Sequence, residues 1–351
     1  MITRNAASID ENFDIPSVID KDGLTFYDAC ELSLYGVEFI DGKFRRMKEE
    51  AAAYVGENIL LISSETAGGR VKFATDSNKI AVYAEYASVA KVPNYSLSAT
   101  MGFDIYSGER FICVFVPPMD AKISYESVIE LSDTDVSMQE YTINFPICSE
   151  VTKLLIGVDS ASKILPGKRY KNETPIIFYG SSTTQGACAS HPGNSYPLIL
   201  SRVLDADIIN LAFWGNAKGE EAMARYIACL DMSAFVYDYD YNAPSAEHLR
   251  ETHEVMFKII RERHPDLPII ILSAPKPYPT ENDIERIEII KKTYDNAVNR
   301  GDKLVYFFSG NEMLASVRDL ALADNVHPGD VGFAAISTAL TPILQKHQNV
   351  L

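Results

Sequence analysis

Hydrophobic and polar positions follow one rhythm in the first half of the chain. Between about residues 59 and 157, short runs rich in aromatic and β-branched residues alternate with turn residues, and no helical period extends for long. Short strands at this spacing predict an antiparallel β-sandwich or jelly roll. One helix is expected just upstream, in GKFRRMKEEAAAYVG. The predicted strands lie in RVKFATDS, KIAVYAEYA, SATMGFDIYS, RFICVFVPP, ISYESVIEL and EYTINFP.

The second half has a different rhythm, in which continuous apolar runs alternate with segments of helical period. This alternation is typical of a parallel sheet covered on both faces, so we expect a three-layer α/β/α domain. The rhythm changes in SASKILPGKRYKNETP, which predicts a β domain over residues 1–168 and an α/β domain over residues 169–351. The predicted strands lie in PIIFYG, DIINLAF, AFVYDYDY, LPIIILSAP and KLVYFFSG, and the clearest helices in SAEHLRETHEVMFKIIRERH and ENDIERIEIIKKTYDNAVNR.

Size and charge narrow the functional classes. With 351 residues, of which 47% are hydrophobic, the chain can bury more than one core. Its 48 Asp and Glu residues exceed its 32 Lys and Arg residues, for a net charge of −16. This excess repels phosphate backbones and anionic membrane surfaces, so we expect no nucleic-acid or membrane partner. A neutral sugar meets no such repulsion. The sequence also leaves open whether the protein forms a homo-oligomer.

The N-terminus and the cysteines predict a cytoplasmic location. The first 23 residues contain no apolar core of the length that a signal peptide needs. No run of about 18 apolar residues, which a transmembrane helix needs, occurs in the sequence. The scattered cysteines include no CxxC pair, which favours buried free thiols over disulfides. They are Cys30, Cys113, Cys148, Cys188 and Cys229.

Four polar features lie where predicted strands or loops reach the carboxyl edge of the parallel sheet, which is where active sites form in such folds. Each feature alone is weak evidence. A serine-rich turn is more often a helix cap, a glycine or asparagine a turn residue, and a DxxH pair a local hydrogen-bonding arrangement. Their order and shared edge are harder to obtain by chance. The features are GSSTTQG with Ser181 and Ser182, NLAFWGN with Gly215, YDYDYN with Asn242, and DNVHPGD with Asp324 and His327.

In this order, the four features resemble the motifs of the GDSL or SGNH hydrolases, from about residue 175 to the C-terminal helix. That family carries a serine in a G-D-S-like turn, a glycine in a second block, an asparagine in a third, and D-x-x-H near the C-terminus. The resemblance implies a flavodoxin-like sheet, with Ser182 as nucleophile, His327 as base and Asp324 as the residue that orients the base. It also implies an oxyanion hole made by the backbone N–H groups of Ser182 and Gly215 and the side chain of Asn242.

Two departures from the family pattern indicate the same subgroup of the family. Ser181 stands where the motif has Asp, and the third block reads DYN in place of G-x-N-D. Both variants resemble a carbohydrate-directed subgroup with GSS-x-TQG and NLGFSGN-like strings, from which Ala212 and Trp214 differ. MGFDIY, with Asp104, resembles the G-x-D-L-Y signature of the β domain that precedes the catalytic domain in this subgroup. The resemblance implies an esterase without a cofactor that removes acetyl or other small acyl groups from an acetylated oligosaccharide.

The chemistry of these residue types agrees with the mapping. A serine hydroxyl is a poor nucleophile until an imidazole removes its proton, and a carboxylate must hold that imidazole in the right tautomer. Asp324 and His327 can form this pair within one short loop. Losing one oxyanion donor typically costs about 3 kcal/mol in the barrier. We expect glycine at position 215 because a side chain there would crowd the approaching oxyanion.

Several further residues have two interpretations each. Trp214 is a candidate aromatic wall for a sugar or a packing residue, and Tyr241 is a second candidate for substrate binding. Asp104 is a third such candidate, or it only fixes a turn, so that the β domain is a support. The alternation of Asp238 and Asp240 with tyrosines predicts a buried strand whose carboxylates hydrogen-bond to neighbouring loops.

Other classes of function have less support in the sequence. His248 and His253 are five apart on one predicted helix, which does not place them on one face for chelation, and no HExxH, Walker or Rossmann string occurs. We therefore expect no metal, ATP or NAD. Two alternatives stay open: a lipase or thioesterase on the same scaffold, although no long apolar lid is evident, and a non-catalytic carbohydrate-binding module. The remaining histidines outside the DxxH pair are expected in surface or capping roles: His191, His264 and His347.

Overall fold

The computed structural model describes residues 23–131 and 137–348. The first part of the chain forms antiparallel strands, and the second forms one parallel sheet with helices. The β domain contains β1 (Leu24–Asp28), β2 (Ser33–Tyr35), β3 (Glu38–Ile40), β4 (Lys43–Arg45), α1 (Glu49–Val55), α2 (Glu57–Ile62), β5 (Arg70–Thr75), β6 (Lys79–Val89), α3 (Leu97–Thr100), β7 (Phe103–Ser107), β8 (Arg110–Phe115), β9 (Ser124–Glu130), β10 (Gln139–Asn144), β11 (Ser149–Asp159) and β12 (Ile164–Pro166). The α/β domain contains β13 (Asn172–Gly180), α4 (Ser182–Gln185), α5 (Tyr196–Leu204), β14 (Ala206–Ala212), α6 (Glu221–Ala228), β15 (Ala234–Asp238), α7 (Ala246–Arg263), β16 (Ile269–Leu272), α8 (Glu281–Asn299), β17 (Val305–Phe308), α9 (Gly310–Met313) and α10 (Asp330–Gln348).

The β domain is a sandwich of two antiparallel sheets. One sheet has the strand order β1-β11-β6-β9, and the other has the order β12-β5-β10-β7-β8, with β2 also paired to β5. Side chains alternate between the two faces of a strand, so each sheet turns one apolar face inward. These inward faces share one core, in which Phe73, Val82, Ile143 and Leu154 are fully buried. The predicted antiparallel sandwich is confirmed, whereas its jelly-roll connectivity stays a prediction.

The α/β domain has the predicted three layers around a parallel sheet of order β14-β13-β15-β16-β17. In strand β13, Ile177 and Tyr179 face a core shared with α6, α7 and α8. Ile176 and Phe178 face the opposite core, shared with α5 and α10. Numbered along the chain, the strand order is 2-1-3-4-5, the flavodoxin-like arrangement. The strand order reverses beside β13, so the carboxyl end of β13 lies at the crevice where such sheets bind ligands.

Three local predictions for the β domain need correction. GKFRRMKEEAAAYVG contains strand β4 and helix α1, and a second helix follows because Gly56 adopts an extended backbone between α1 and α2. Both helices pack on the α/β core: Ala52 and Ile59 lie in the cluster that contains Leu211. The start of SATMGFDIYS belongs to helix α3 rather than to a strand. The long strand β11 pairs with both β1 and β6 and was not among the predicted strands.

The cysteines and the helices bear on two further expectations. All five cysteines are free, as expected, but Cys30 and Cys229 are exposed, so the expected burial is wrong for them. Cys148 and Cys188 are buried. Within the described residues, no helix combines the length and apolarity needed to cross a bilayer. The segment on which the signal-peptide prediction rests lies almost entirely outside the described residues.

Candidate active site

Ser182 begins helix α4 just after strand β13, the first strand of the parallel sheet along the chain. Ser181 caps this short helix, since its Oγ accepts a hydrogen bond from the backbone N–H of Thr183 at 3.2 Å. Gly180 ends the strand at a place with no space for a side chain, because an added Cβ would lie 1.6 Å from Oδ1 of Asp238. The strand end, the glycine and the cap together fix Ser182 at the carboxyl edge of the sheet.

Asp238, at the end of the neighbouring strand β15, lies beneath this turn. Its Oδ1 accepts hydrogen bonds from the backbone N–H of Ser181 at 3.1 Å and from the hydroxyl of Thr184 at 2.5 Å. Its Oδ2 accepts a hydrogen bond from the hydroxyl of Ser181 at 3.2 Å. Burial raises the pKa of Asp238 to about 7, although these hydrogen bonds act to lower it. The prediction that this carboxylate hydrogen-bonds to a neighbouring loop is confirmed, and that loop carries Ser182.

The structure brings Ser182, His327 and Asp324 into one hydrogen-bonded relay. The Oγ of Ser182 lies 2.9 Å from Nε2 of His327, and Nδ1 of His327 lies 2.8 Å from Oδ2 of Asp324. With Nδ1 protonated, the ring donates to the carboxylate and leaves Nε2 free to accept the serine proton. Ser182 and His327 are 145 residues apart in the sequence, so the fold alone produces this contact.

Asp324 is held as a charged carboxylate by its own loop. Its Oδ1 accepts hydrogen bonds from the backbone N–H groups of Val326 and His327, both at 2.7 Å. Partial burial acts to raise the pKa of Asp324, but the hydrogen bonds from the ring and backbone of His327 and from Val326 outweigh it and hold the pKa well below its usual value. The carboxylate is therefore ionised at every pH at which the imidazole can act as a base.

Two residues of the β domain, which sequence reasoning missed, contact this pair. The side-chain amide of Asn94 donates a hydrogen bond to Oδ2 of Asp324. The ring of Tyr95 packs edge-on against the ring of His327, with centroids 5.8 Å apart and planes at 88°. Both lie in the segment between β6 and α3, where no family motif occurs. The sequence offered no signal for them, because the contact spans 230 residues.

A cluster of potential metal ligands occurs at the same place. Cys188, Asp324 and His327 each offer one ligand atom, and these atoms lie within 4.8 Å of one another. Burial, and then the charge and hydrogen bonding of Asp324, raise the pKa of the Cys188 thiol to about 12. A thiol must lose its proton to bind a metal well. Since Asp324 and His327 also hydrogen-bond to each other and to Ser182, the cluster fits a proton relay better than a metal centre.

The second and third predicted blocks are also adjacent in space. The side-chain amide of Asn242 donates to the carbonyl oxygen of Phe213 at 3.2 Å, two residues before Gly215. The backbone N–H of Trp214 donates to Oε1 of Gln185 at 3.1 Å, which fastens this loop to the helix that begins with Ser182. Asn242 and the Gly215 loop therefore border the turn that carries Ser182.

The expected reason for glycine at position 215, crowding of an approaching oxyanion, stays a prediction. Within the protein itself an added Cβ would meet no atom within 4 Å. Gly215 also has a φ of 68°, in the left-handed region that favours glycine. Glycine permits this backbone conformation, which in turn sets the direction of the N–H group of Gly215.

A buried carboxylate of the β domain connects the two loops beside Ser182. Glu65 accepts hydrogen bonds from the indole N–H of Trp214 at 3.0 and 3.1 Å and from the side-chain amide of Gln185 at 2.5 Å. The side chain of Trp214 is therefore fixed in orientation, while 39% of the residue stays exposed. Burial raises the pKa of Glu65, and the charge of Arg46 opposes this rise. The carboxylate of Glu65 therefore joins the segment after β13 to the loop after β14.

Arg46 binds backbone carbonyl groups at the end of β14, where the loop with Trp214 begins. Its Nη1 donates to the carbonyl oxygens of Asn210 and Ala212 at 3.0 and 2.6 Å, and its Nε donates to that of Glu65 at 2.6 Å. Its guanidinium lies 5.0 Å from the centroid of the Phe213 ring. The residue is buried but fully paired, so it fixes the end of β14 without leaving an uncompensated donor.

The two remaining candidates for substrate binding differ in exposure. Tyr241 is 40% exposed, and the Nζ of Lys276 lies 4.7 Å from its ring centroid. Asp104 is fully buried, and its carboxylate accepts hydrogen bonds from Asn144, at 2.6 Å, and from the backbone N–H of Gly193, at 2.5 Å. His191 completes its partners, with Nδ1 2.6 Å from Oδ2. Asp104 thus fastens the α/β domain to the β sandwich, which favours the structural interpretation of the FDIY segment.

Comparison with known proteins agrees with this geometry. The model of the GDSL-like lipase/acylhydrolase family matches residues 173–345, and the model of the N-terminus of SGNH-hydrolase-type esterases, called GxDLY, matches residues 24–164. The chain belongs to the GDSL/SGNH acylhydrolase family. The match makes the protein a carboxylic ester hydrolase. A comparison with curated proteins gave no match.

Solved structures share both domains of this GDSL/SGNH acylhydrolase. A structure described as a GDSL-like lipase from Bacteroides ovatus is 27% identical, with a TM-score of 0.82 over 92% of this chain and 98% of the other. A salicylyl-acyltransferase from a tetracycline biosynthetic pathway is 18% identical, with a TM-score of 0.74 over 94% and 99% of the two chains. An acetyl xylan esterase from Butyrivibrio proteoclasticus is 14% identical, with a TM-score of 0.58 over 92% and 98%. The two-domain architecture is therefore common to proteins with different acyl substrates.

Proposed function

We propose that the protein is a serine esterase that removes acetyl or other small acyl groups from carbohydrate. One observation carries the proposal: Ser182 Oγ lies 2.9 Å from His327 Nε2, and His327 Nδ1 lies 2.8 Å from Asp324 Oδ2. A serine hydroxyl within hydrogen-bonding distance of an imidazole that a carboxylate orients is the arrangement that acyl transfer requires. We also propose that the catalytic domain covers residues 169–351 and the β domain residues 1–168, and the cytoplasmic location remains a prediction.

The reaction has two steps on this site. Ser182 Oγ attacks the acyl carbonyl carbon while His327 Nε2 takes the hydroxyl proton, and the same proton then passes to the departing sugar oxygen. In the second step, water attacks the acyl-enzyme, His327 takes a proton from it, and Ser182 leaves with that proton as acetate is released. Asp324 stays ionised throughout and stabilises the imidazolium that forms in each step.

The oxyanion of each tetrahedral intermediate would accept hydrogen bonds from three donors: the backbone N–H groups of Ser182 and Gly215 and the side chain of Asn242. The loop geometry supports this assignment, since Asn242 donates to the carbonyl of Phe213 with one amide hydrogen and keeps the second. The left-handed backbone at Gly215 sets the direction of its N–H group. Such preorganised donors are usually the largest electrostatic contribution to acyl transfer.

Carbohydrate is the substrate class that the chain supports best. The fold resembles that of an acetyl xylan esterase, and Trp214 and Tyr241 offer partly exposed aromatic surface beside the proposed oxyanion donors. An aromatic face packs well against the apolar face of a sugar ring. The net charge of −16 favours a neutral ligand over an anionic one.

The test measures hydrolysis of aryl esters from acetate to octanoate, and acetate release from acetylated xylo-, manno- and cello-oligosaccharides. We expect the highest kcat/KM for acetate and release from at least one oligosaccharide series. Ser182→Ala should abolish turnover with an unchanged melting temperature, because the side chain loses only one oxygen. A preference for octanoate would favour the lipase alternative. Retained turnover in Ser182→Ala would remove Ser182 from its role.

A further inference from the structure

We infer that Asn94, in the β domain, is a positioning residue for the Asp324–His327 pair, so that the β domain completes the catalytic machinery. This inference rests on the proposed serine esterase. Asn94 donates to Oδ2 of Asp324, the oxygen that also accepts from Nδ1 of His327. Asn94 and the imidazole that takes the serine proton therefore bind the same carboxylate oxygen.

The hydrogen bond from Asn94 completes the set of donors around the carboxylate. Oδ1 of Asp324 already accepts the two backbone N–H groups of Val326 and His327. Oδ2 accepts the imidazole and the amide of Asn94. An ionised carboxylate has about four acceptor positions, so the N–H donors alone fill them. Without Asn94, Oδ2 would keep only the imidazole and the weak thiol donor of Cys188, whose Sγ lies 3.6 Å away, so the carboxylate would be held less firmly.

A fixed segment presents Asn94 at this position. The backbone N–H of Tyr95 closes a turn onto the carbonyl of Val92 at 3.0 Å, and Ser96 then caps helix α3. The side chain of Tyr95 packs against the small cluster formed by Ala67, Ala99, Ile147 and Cys148, which belongs to the β domain. Asn94 itself is exposed, so its side chain carries little of the burial that stabilises the fold. Its replacement should therefore leave the protein folded.

The charged and titratable groups around the pair come from four elements. Lys276, in the segment after β16, donates to the carbonyl of Asn325 at 2.8 Å and is a nearby cation. The thiol of Cys188 and the hydroxyl of Tyr95 both have a pKa raised by burial, so neither is charged near neutral pH. Glu65, whose pKa burial also raises, is a further acid on this side of the site. A difference between wild type and a variant of Asn94 cancels the contributions of these groups, because both proteins contain them.

The experiment compares wild type, Asn94→Ala and Asn94→Asp, with Asn296→Ala as the matched control. Asn296 also donates its side-chain amide to a carboxylate, that of Glu254, at 2.8 Å, but this hydrogen bond joins α8 to α7. The first readout is kcat and KM for an aryl acetate. We expect kcat to fall about tenfold in Asn94→Ala with KM nearly unchanged, because a hydrogen bond to a charged group is lost and the substrate contacts are not. The control should keep both constants.

The second readout needs no turnover: the pH titration of the His327 ring by nuclear magnetic resonance of ring-labelled protein. Asn94→Asp replaces a donor by a negative charge near the imidazole, which favours its protonated form. We expect the ring signals of this variant to change at a higher pH than those of wild type. The acid limb of kcat/KM should move to higher pH by the same amount.

Each outcome decides between the two claims. A wild type that is active, with Asn94 variants that match it in kcat and in the titration of His327, overturns the role of Asn94 and leaves the esterase intact. A rise in KM without loss of kcat also overturns it, because Asn94 would then act on the substrate. A wild type without esterase activity contradicts the proposed function, whereas the titration of His327 still reports whether Asn94 acts on the pair.

Discussion

Ser182 lies between two regions that each contribute a carboxylate, and the two carboxylates behave in opposite ways. Asp324 is in a partly exposed loop, where partial burial acts to raise its pKa but hydrogen bonds from the ring and backbone of His327 and from Val326 hold the pKa well below the usual value. Asp238 is beneath the nucleophile turn, and burial raises its pKa to about 7 despite three hydrogen bonds. The residue type is the same, so the surroundings alone decide the charge.

The comparison separates the chemistry of the site from its support. A charge that must be present at every working pH lies where water and several N–H donors stabilise it. The carboxyl group that only has to shape the turn lies where solvent is absent, and its charged form is costly there. Removal of the charge should therefore lower the rate in the region of Asp324, and in the region of Asp238 it should change how stability depends on pH between about pH 4 and 8.

The largest effect is expected for Asp324→Asn, which tests the exposed region. An amide at this position favours the wrong imidazole tautomer, so Nε2 can no longer accept the serine proton. We expect kcat to fall about ten-thousandfold, as this change does in serine hydrolases with such a triad. The melting temperature near neutral pH should also fall, because the depressed pKa of Asp324 means that its charged form stabilises the fold. A loss of less than tenfold in a stopped assay with aryl acetate would mean that His327 is oriented by another group.

The second prediction concerns Asp238→Asn in the buried region. The folded pKa of about 7 lies above the value of 3.8 for an unperturbed aspartate. The folded protein therefore binds more protons than the unfolded chain between about pH 4 and 7, and its stability falls as pH rises through that window. Relative to the variant, wild type should lose up to about 4 kcal/mol of unfolding free energy from pH 4 to 8.

Urea denaturation of both proteins at pH 4, 5, 6, 7 and 8 measures this difference. A difference that stays constant with pH would mean that Asp238 is already ionised at pH 4. Turnover of aryl acetate should change much less than in Asp324→Asn, because the amide keeps an acceptor for the Ser181 backbone. This contrast is what separates the two regions.

Thr184→Val should have a smaller effect on the same buried region. Its hydroxyl donates to Oδ1 of Asp238 at 2.5 Å, and valine has nearly the same shape without the donor. We expect a loss of about 2 kcal/mol at pH 8, where the carboxylate is charged, and a smaller loss at pH 5. Equal losses at the two pH values would show that this hydrogen bond does not depend on the charge of Asp238.

The smallest effect is expected for Cys188→Ala, in the exposed region. The Sγ of Cys188 lies 3.6 Å from Oδ2 of Asp324, and a thiol is a weak donor. We expect kcat to change less than about twofold, and a chelator to leave turnover of aryl acetate unchanged. A loss of more than tenfold in the variant, together with inhibition by the chelator, would favour a metal centre at Cys188, Asp324 and His327.

The sequence predicted those parts of the fold that depend on local pattern. The five parallel strands, helices α7 and α8, and most strands of the sandwich follow from runs of apolar residues with a period of two or 3.6. Strand β11 was missed because its apolar residues are interrupted by polar ones and it follows no clear turn signal. The break between α1 and α2 depends on the backbone of one glycine, Gly56.

Residues of the site could be predicted where they are close to one another in the sequence or belong to a family motif. Asp324 and His327 share one loop, and Ser182 follows a strand in a glycine-flanked turn. Asn94, Glu65 and Arg46 could not be found this way, because their contacts with the α/β domain span more than 100 residues and depend on how the two domains pack. A support between domains has no local pattern in the sequence.

The most direct test of the central claim is covalent trapping of the nucleophile. The wild-type protein is incubated with a serine-directed organophosphonate, digested and analysed by mass spectrometry, beside Ser182→Ala and His327→Ala. We predict one labelled residue, Ser182, no label in Ser182→Ala and much slower labelling in His327→Ala. Wild-type protein that hydrolyses aryl acetate while Ser182 stays unlabelled would contradict the account.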